Sequence, residues 1–217
     1  MESKQQKQFV KFVEQQCSRS VETSNIVHLF KAFKRNYKLV PLEVFGKDPY
    51  KTLISTILSA RTRDELTLVI SKKLFKVAPN FKKLNKLTIQ EIEKLIYPVG
   101  FYKTKAKHLK KIAGSITEVP KTREELINLP GVGRKTANLT LNRAFNIPAI
   151  AVDTHVHRIS NVLGWVKTKT PEQTEKELIR ILPEKYWPEV NRLFVSIGRQ
   201  YTTNKKLEVF LKKEKLV

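Results

Sequence analysis

The chain has 217 residues, 41% of them hydrophobic, so it is long enough to bury a core and has the composition of a globular protein. Forty-two Lys and Arg residues against twenty Asp and Glu residues give a formal net charge of +22. A charge this large indicates a polyanionic partner, with nucleic acid first and a membrane surface or an acidic protein second. A lysine-rich composition without functional meaning is the alternative.

The cysteine count and the hydropathy of the chain exclude further classes of protein. Cys17 is the single cysteine, which excludes disulfide frameworks and cysteine-ligated metal sites. Residues 1–8 are polar, and no apolar run approaches the ~20 residues that cross a bilayer. We therefore expect an intracellular protein of the cytoplasm or nucleoid, without a membrane partner and without a bound metal.

Helical periodicity runs through almost the whole chain. Thr122 followed by Glu125 predicts a capping box, and Thr170-Pro171 predicts the first residues of a helix. Strand alternation is scarce, so the predicted fold class is all-α. Apolar residues recur at helical spacing in residues 53–58, 66–74, 178–182 and 190–197.

No Gly/Ser linker divides the chain. We expect residues 45–165, which contain the main turn signals, to form one helical domain. Residues 1–44 and 166–217 are then predicted to pack together as a second helical lobe. A cleft between two such lobes is a natural ligand site.

Residues 129–138 read LPGVGRKTAN, with two glycines around one apolar residue between helical segments. This pattern predicts a tight hairpin followed by a helix whose free N–H groups bind an anion such as a phosphodiester. A nucleotide P-loop is excluded, because Arg134 separates Gly133 from Lys135 and no strand precedes the motif. A purely structural glycine turn is the alternative.

An apolar run, residues 147–152, ends at Asp153, where a helix is expected to begin. Asp153 as a simple helix cap is one interpretation. The other pairs it with Lys135, for which the helix N-terminus and the neighbouring Arg134 predict a lowered pKa. A neutral amine is what nucleophilic lysine chemistry requires.

Four blocks carry a family resemblance: LISTILSARTRDE, VGFYKTKA, LPGVGRKTANLTLNRAF and IPAIAVDTHVHR. In this order, over about residues 45–165, they closely resemble the helix-hairpin-helix DNA glycosylases, and endonuclease III most of all. The resemblance implies a two-lobed fold with a helical-barrel domain, a helix-hairpin-helix motif and a central cleft. It implies base-excision repair of duplex DNA that carries damaged or abasic sites.

The resemblance also implies a mechanism. The damaged nucleotide rotates into the cleft, and Lys135 attacks C1′, expels the base and forms a Schiff base. β-Elimination then nicks the strand. Asp153 assists lysine deprotonation and stabilises positive charge on the sugar. Because related branches that use activated water lack this lysine, its presence favours a glycosylase with apurinic/apyrimidinic (AP) lyase activity on oxidised pyrimidines such as thymine glycol.

DNA-binding roles follow from the same resemblance. Phe101 is expected to act as a wedge in the base stack, and Arg61 replaces the glutamine that usually fills the gap left by the flipped base. Loop packing and a surface charge are the alternatives for these two residues. His155 and Arg158 match positions near the sugar-phosphate. The hairpin residues expected to grip a phosphate are Leu129, Gly131, Val132, Gly133 and Arg134.

Two departures from the family pattern affect cofactor and substrate. Most endonuclease III proteins carry four cysteines after a segment like residues 198–201, and this chain has none there. We therefore expect no iron–sulfur cluster, with the lysine-rich C-terminal helix in place of its basic loop; a monovalent cation at the hairpin backbone stays open. Arg61 puts the lesion range in question.

Two other functions remain open, and each would give a different result in an activity assay. The first is a monofunctional glycosylase in which Asp153 activates water. The second is a non-catalytic helix-hairpin-helix DNA-binding protein. In each case we expect a monomer.

Overall fold

The computed structural model describes residues 23–217, and within this range every regular element is a helix. This confirms the predicted all-α fold. No helix of the described range is long and apolar enough to cross a membrane. The expectations for Cys17 and for residues 1–8 lie outside the described residues.

The α-helices follow one another with short connections, and single 3₁₀ turns lie at Pro41–Phe45 and Glu184–Tyr186. In chain order they are α1 (Thr23–Arg35), α2 (Pro49–Ser59), α3 (Asp64–Val77), α4 (Phe81–Lys86), α5 (Ile89–Ile96), α6 (Tyr102–Ser115), α7 (Arg123–Ile127), α8 (Arg134–Phe145), α9 (Thr154–Val162), α10 (Pro171–Ile181), α11 (Trp187–Gln200) and α12 (Asn204–Lys213).

Side-chain caps explain where several helices begin. Helix α10 begins with the complete capping box of Thr170 and Gln173, with proline at its first position as predicted. The predicted box at α7 is half formed: Thr122 accepts the amide of Glu125, but the Glu125 carboxylate contacts the Thr122 hydroxyl, 2.5 Å away. Such caps satisfy backbone amides that the helix itself leaves unpaired.

Two apolar clusters form the interior. The first is built from α2 to α8, and the second from α1 and α9 to α12. Ala149 packs against the first cluster, whereas Ile150 belongs to the second. The packing therefore changes core between these two residues, ahead of the predicted boundary at residue 165. The division into lobes stays a prediction, and the clusters favour a boundary near residue 150.

The C-terminal helix α12 closes the second cluster against α1. Leu207, Phe210 and Leu211 are buried in that cluster, and the ring of Tyr201 stacks on Phe210 with 4.4 Å between centroids. At its end, Glu214 accepts a hydrogen bond from Arg35, 2.5 Å away. Apolar packing thus holds the C-terminal segment in place.

Candidate active site and nucleic-acid interface

The hairpin between α7 and α8 presents backbone rather than side chains. Leu129 and Val132 are 8% and 6% exposed and pack in the first cluster. Gly133 caps α8 without a side-chain hydrogen bond, so the amides of the first turn of α8 keep no acceptor within the helix. Free amides at a helix N-terminus form an anion site, as the sequence predicts.

The two hairpin glycines serve different purposes. Gly131 has a φ of 76°, and a Cβ there would overlap the ring of His108. Gly133 has a φ of −99°, and a Cβ there would meet nothing within 4 Å. Gly131 is therefore needed for the fold of the hairpin, whereas Gly133 leaves open space in front of the free amides.

Replacing each glycine by alanine separates these purposes. We expect Gly131→Ala to lower the free energy of unfolding by about 2 kcal/mol or more, from the left-handed backbone and the overlap together. Gly133→Ala should leave stability within ~0.5 kcal/mol. It should bind duplex DNA roughly ten-fold more weakly, the equivalent of one hydrogen bond to a charged group. Urea unfolding measures the loss of stability, and fluorescence anisotropy measures the loss of duplex affinity. This assignment would be contradicted if Gly131→Ala and Gly133→Ala lost the same stability and the same affinity.

Arg134 is engaged inside the protein. Its guanidinium pairs with Glu175 of α10 at 3.0 Å, and Glu175 is only 5% exposed at its side chain. This hydrogen bond raises the pKa of Arg134. The sequence predicts that Arg134 lowers the pKa of Lys135, and this effect stays a prediction. In the structure the carboxylate of Glu175 offsets the charge of Arg134.

Glu175 joins the hairpin to the second cluster. Besides Arg134, it accepts hydrogen bonds from Arg123 of α7 at 3.3 Å and from Asn138 of α8 at 3.2 Å. A buried carboxylate is stable only where several donors surround it. The carboxylate therefore fixes the start of α8, and with it the anion site, against α10.

Lys135 lies in the first turn of α8 and is exposed. Within residues 23–217 its amine forms no hydrogen bond or ion pair. The amine is therefore accessible to a ligand held on the hairpin.

Asp153 caps α9, as the sequence predicts. Its Oδ1 accepts the amides of His155 and Val156, both at 2.9 Å. Among the described residues no group hydrogen-bonds Oδ2. One carboxylate oxygen thus holds the helix, and the other is available for chemistry.

Three asparagines hold the extended segment that precedes Asp153 by hydrogen bonds to its carbonyls. The amides of Asn138 and Asn142, both on α8, donate to the carbonyls of Ile150 at 2.9 Å and Ala149 at 3.0 Å. Asn191 of α11 donates to the carbonyl of Ala151 at 3.0 Å. The helix that carries Lys135 therefore also holds the segment that carries Asp153, because no sheet partner is present there to bind these carbonyls.

Lys135 and Arg199 act electrostatically on the same two residues. The positive charges of both residues lower the pKa of Asp64 and of His155, although burial is the largest influence on each. The net result is a raised pKa for Asp64 and a lowered pKa for His155. Asp153 also acts on His155, in the opposite sense, so Lys135 and Asp153 share a neighbour.

Arg199 ties the two clusters together at this site. It lies on α11 and forms an ion pair with Asp64, at the start of α3, at 3.3 Å, and a second ion pair with Glu65. Because the side chains of Arg199 and Asp64 are only 33% and 27% exposed, this link is stronger than a fully exposed ion pair. Neither Asp64 nor Arg199 is assigned a role from the sequence.

His155 and Arg158 both pack on the end of α11. A Cβ on Gly198 would overlap the ring of His155, so the histidine lies directly on that glycine. Arg158 donates from Nη2 to the carbonyls of Gly198 at 3.2 Å and Tyr201 at 2.7 Å. These contacts are structural, and a contact of either residue with DNA stays a prediction.

Arg61 and Phe101 lie on two adjoining loop tips. Both have left-handed backbones, with φ of 54° and 57°, and both side chains are exposed, that of Phe101 by 66%. The loops touch, since the amide of Gly100 donates to the hydroxyl of Thr62 at 3.0 Å. The exposed ring of Phe101 at a loop tip is compatible with the predicted wedge, and this role stays a prediction.

Among the described residues, no group of three or more His, Cys, Asp or Glu side chains is arranged to hold a metal ion. The groups found at the site are instead backbone amides and one lysine amine, which donate hydrogen bonds, and one carboxylate, which accepts them. This set suits a phosphodiester and a sugar carbon.

The comparisons with known proteins identify the family of the chain. Residues 54–184 match the family described as HhH-GPD superfamily base excision DNA repair protein. The chain belongs to this superfamily. This confirms the resemblance on which the sequence analysis relied.

Individual members of the HhH-GPD superfamily are closely similar to this chain in sequence. Endonuclease III of Thermotoga maritima is 48% identical over 177 residues, which cover 79% of this chain and 80% of the relative. Endonuclease III-like protein 1 of Gallus gallus is 40% identical over 159 residues, which cover 70% of this chain and 57% of the relative. The matched part of the chain thus spans more than half the length of the Gallus gallus protein.

Two solved structures of endonuclease III with DNA superpose on this fold. A non-covalent endonuclease III–DNA complex is 31% identical, with a TM-score of 0.74, and covers 94% of this chain and 89% of that chain. A trapped endonuclease III–DNA covalent intermediate is 36% identical, with a TM-score of 0.69, and covers 71% of this chain and 76% of that chain.

Proposed function

We propose that this protein is a DNA glycosylase with AP lyase activity that removes oxidised pyrimidines, such as thymine glycol, from duplex DNA. The observation that carries the proposal is the accessible Lys135 beside the hairpin, on the helix that also holds the segment leading to Asp153. Membership of a base excision repair superfamily and the likeness to a covalently trapped relative support it.

Binding begins at the backbone of the hairpin. A phosphate of the lesion strand accepts hydrogen bonds from the free amides at the start of α8, beside the open space at Gly133. The formal charge of +22 draws the duplex to the protein, so binding weakens steeply as salt rises. The damaged nucleotide then leaves the stack and enters the site.

Lys135 supplies the nucleophile. Its neutral amine attacks C1′, a C–N bond forms, and the glycosidic bond breaks with its electron pair passing to the departing base. Ring opening converts the product to a Schiff base. Loss of a proton from C2′ then expels the phosphate at C3′, which nicks the strand and leaves the DNA on Lys135 until water releases it.

Asp153 supplies the negative charge. Its Oδ1 is engaged in capping α9, so Oδ2 accepts the proton from Lys135 and faces the positive charge that develops on the sugar. His155 adds no competing positive charge near neutral pH, because burial lowers its pKa.

The cofactor prediction is part of the proposal. Residues 202–217 contain no cysteine, so an iron–sulfur cluster does not fit this segment, and we propose that α12 fulfils its structural role by packing on α1. A monovalent cation at the hairpin backbone, a monomeric state and a place at the nucleoid all stay predictions.

Duplexes that carry single lesions test the proposed function. We expect thymine glycol to be released and the strand to be nicked without alkali. A strand that breaks only after alkali treatment would favour the monofunctional enzyme. Salt-dependent binding without base release from any lesion would favour a non-catalytic DNA-binding protein.

A further inference from the structure

Lys105 of α6 is a buried lysine that the proposed chemistry does not use. The residue is 6% exposed, and among the described residues no carboxylate pairs with it. Lysine is almost never buried without a partner, so its contacts require an explanation. Burial lowers the pKa of Lys105 to about 8, so the amine is still largely protonated at neutral pH.

The amine of Lys105 caps the end of α2. It donates to the carbonyl of Leu58 at 2.8 Å and to that of Ala60 at 2.6 Å. The last carbonyls of a helix have no donor within the helix, and they form the negative end of its dipole. The next residue along the chain is Arg61, so this contact fixes the backbone on which Arg61 projects.

The same lysine is bonded to the second loop tip through its backbone. Its amide donates to the carbonyl of Phe101 at 3.0 Å, in the first turn of α6. Gly100 lies where the two loops meet and leaves no room for a side chain, since a Cβ there would lie 2.6 Å from the carbonyl oxygen of Arg61. Arg61 and Phe101 both adopt left-handed backbones that the surrounding structure must impose.

We propose that Lys105 is a positioning residue that holds Arg61 and Phe101 together in the arrangement needed to enter the base stack at a lesion. The proposal rests on the proposed function, because it concerns how the base is turned out of the duplex. It does not concern the reaction of Lys135 once an abasic sugar is in the site.

The test compares Lys105→Met with Lys110→Met, a matched control. Lys110 lies on the same helix, and its amine also donates to two backbone carbonyls, those of Asn85 and Leu87, away from both loop tips. Each variant removes one charge and two hydrogen bonds of the same kind. Single-turnover excision of thymine glycol and borohydride trapping on a preformed abasic site are measured at saturating protein.

We expect Lys105→Met to lower the excision rate roughly 10- to 100-fold, the loss that a small misplacement of a positioned group produces. Trapping on the abasic site should stay near the wild-type rate, and Lys110→Met should match wild type in both assays. 2-Aminopurine beside the lesion should brighten less with Lys105→Met at saturation, because the stack is opened less. Excision at the wild-type rate, an equal loss of trapping, or an equal loss in Lys110→Met would overturn the proposal.

Gly100→Ala gives an independent variant in case Lys105→Met does not fold. The added Cβ displaces Arg61 from the other side and leaves Lys105 intact, so the same selective loss of excision is expected. Wild-type excision by a folded Gly100→Ala protein would overturn the proposal. If the wild-type protein neither releases the base nor is trapped, the proposed function fails. If the wild-type protein is active and the variants are as active as it is, only this inference fails.

Discussion

Lys135→Ala is expected to abolish borohydride trapping on abasic and thymine glycol duplexes, and to lower base release by at least about 10³-fold, the range seen when an enzyme loses its nucleophile. Lys135 is exposed and forms no hydrogen bond with another described residue, so its removal leaves no buried group unsatisfied. Stability should therefore stay within ~0.5 kcal/mol of wild type.

The control for this prediction is Lys82→Ala, which removes an exposed lysine from α4. It lowers the net charge by the same amount and should retain full trapping. Duplex affinity should fall only slightly in either variant, since each loses one positive charge. Trapping that persists in Lys135→Ala would assign the nucleophile to another amine.

Asp153→Asn is expected to lower the rate of base release roughly 10²- to 10⁴-fold, the contribution of a positioned acid–base group. Asparagine caps helices about as well as aspartate, so the amides of His155 and Val156 keep their acceptor and the fold is retained. The substitution therefore removes the carboxylate charge while it preserves the cap.

Asp153→Ala serves as the comparison. It removes both cap and charge, so we expect a similar loss of activity with a further loss of about 1 kcal/mol in the free energy of unfolding. Urea unfolding and single-turnover kinetics measure the two effects separately. A fully active Asp153→Asn protein would reduce Asp153 to a helix cap.

Local pattern was enough to predict much of this protein. Helical spacing predicted the all-α fold, and Thr170-Pro171 marked the start of α10 correctly, because caps and first-turn prolines act over three or four residues. Gly131 and Asp153 were likewise found from neighbours in the chain, since a left-handed turn and an N-cap are local features.

Contacts between distant segments were not predictable in this way. Glu175 lies 41 residues from Arg134, and nothing in the amphipathic pattern of α10 marks one glutamate as buried between two arginines. Its pairing offsets the charge of Arg134 beside Lys135, which the local sequence does not indicate. Lys105 is not singled out by the sequence either, although its amine reaches the end of α2, 45 residues away.

The three asparagines that hold the segment before Asp153 are a third such case. Asn138, Asn142 and Asn191 were not singled out, because asparagine in a helix is ordinarily a solvent-facing residue of weak helix propensity. An extended, apolar segment without a sheet partner was the available signal. Its buried carbonyls require donors, and polar side chains on flanking helices are the natural source.

Peptide mapping of the borohydride-trapped complex tests the central claim most directly. Wild-type protein is trapped on a thymine glycol duplex, digested with nuclease and protease, and the modified peptide is sequenced by mass spectrometry. We predict that the sugar remnant is attached to Lys135, in the peptide that follows the glycine hairpin. A remnant on any other lysine, or a protein that releases the base without forming an adduct, would contradict the account.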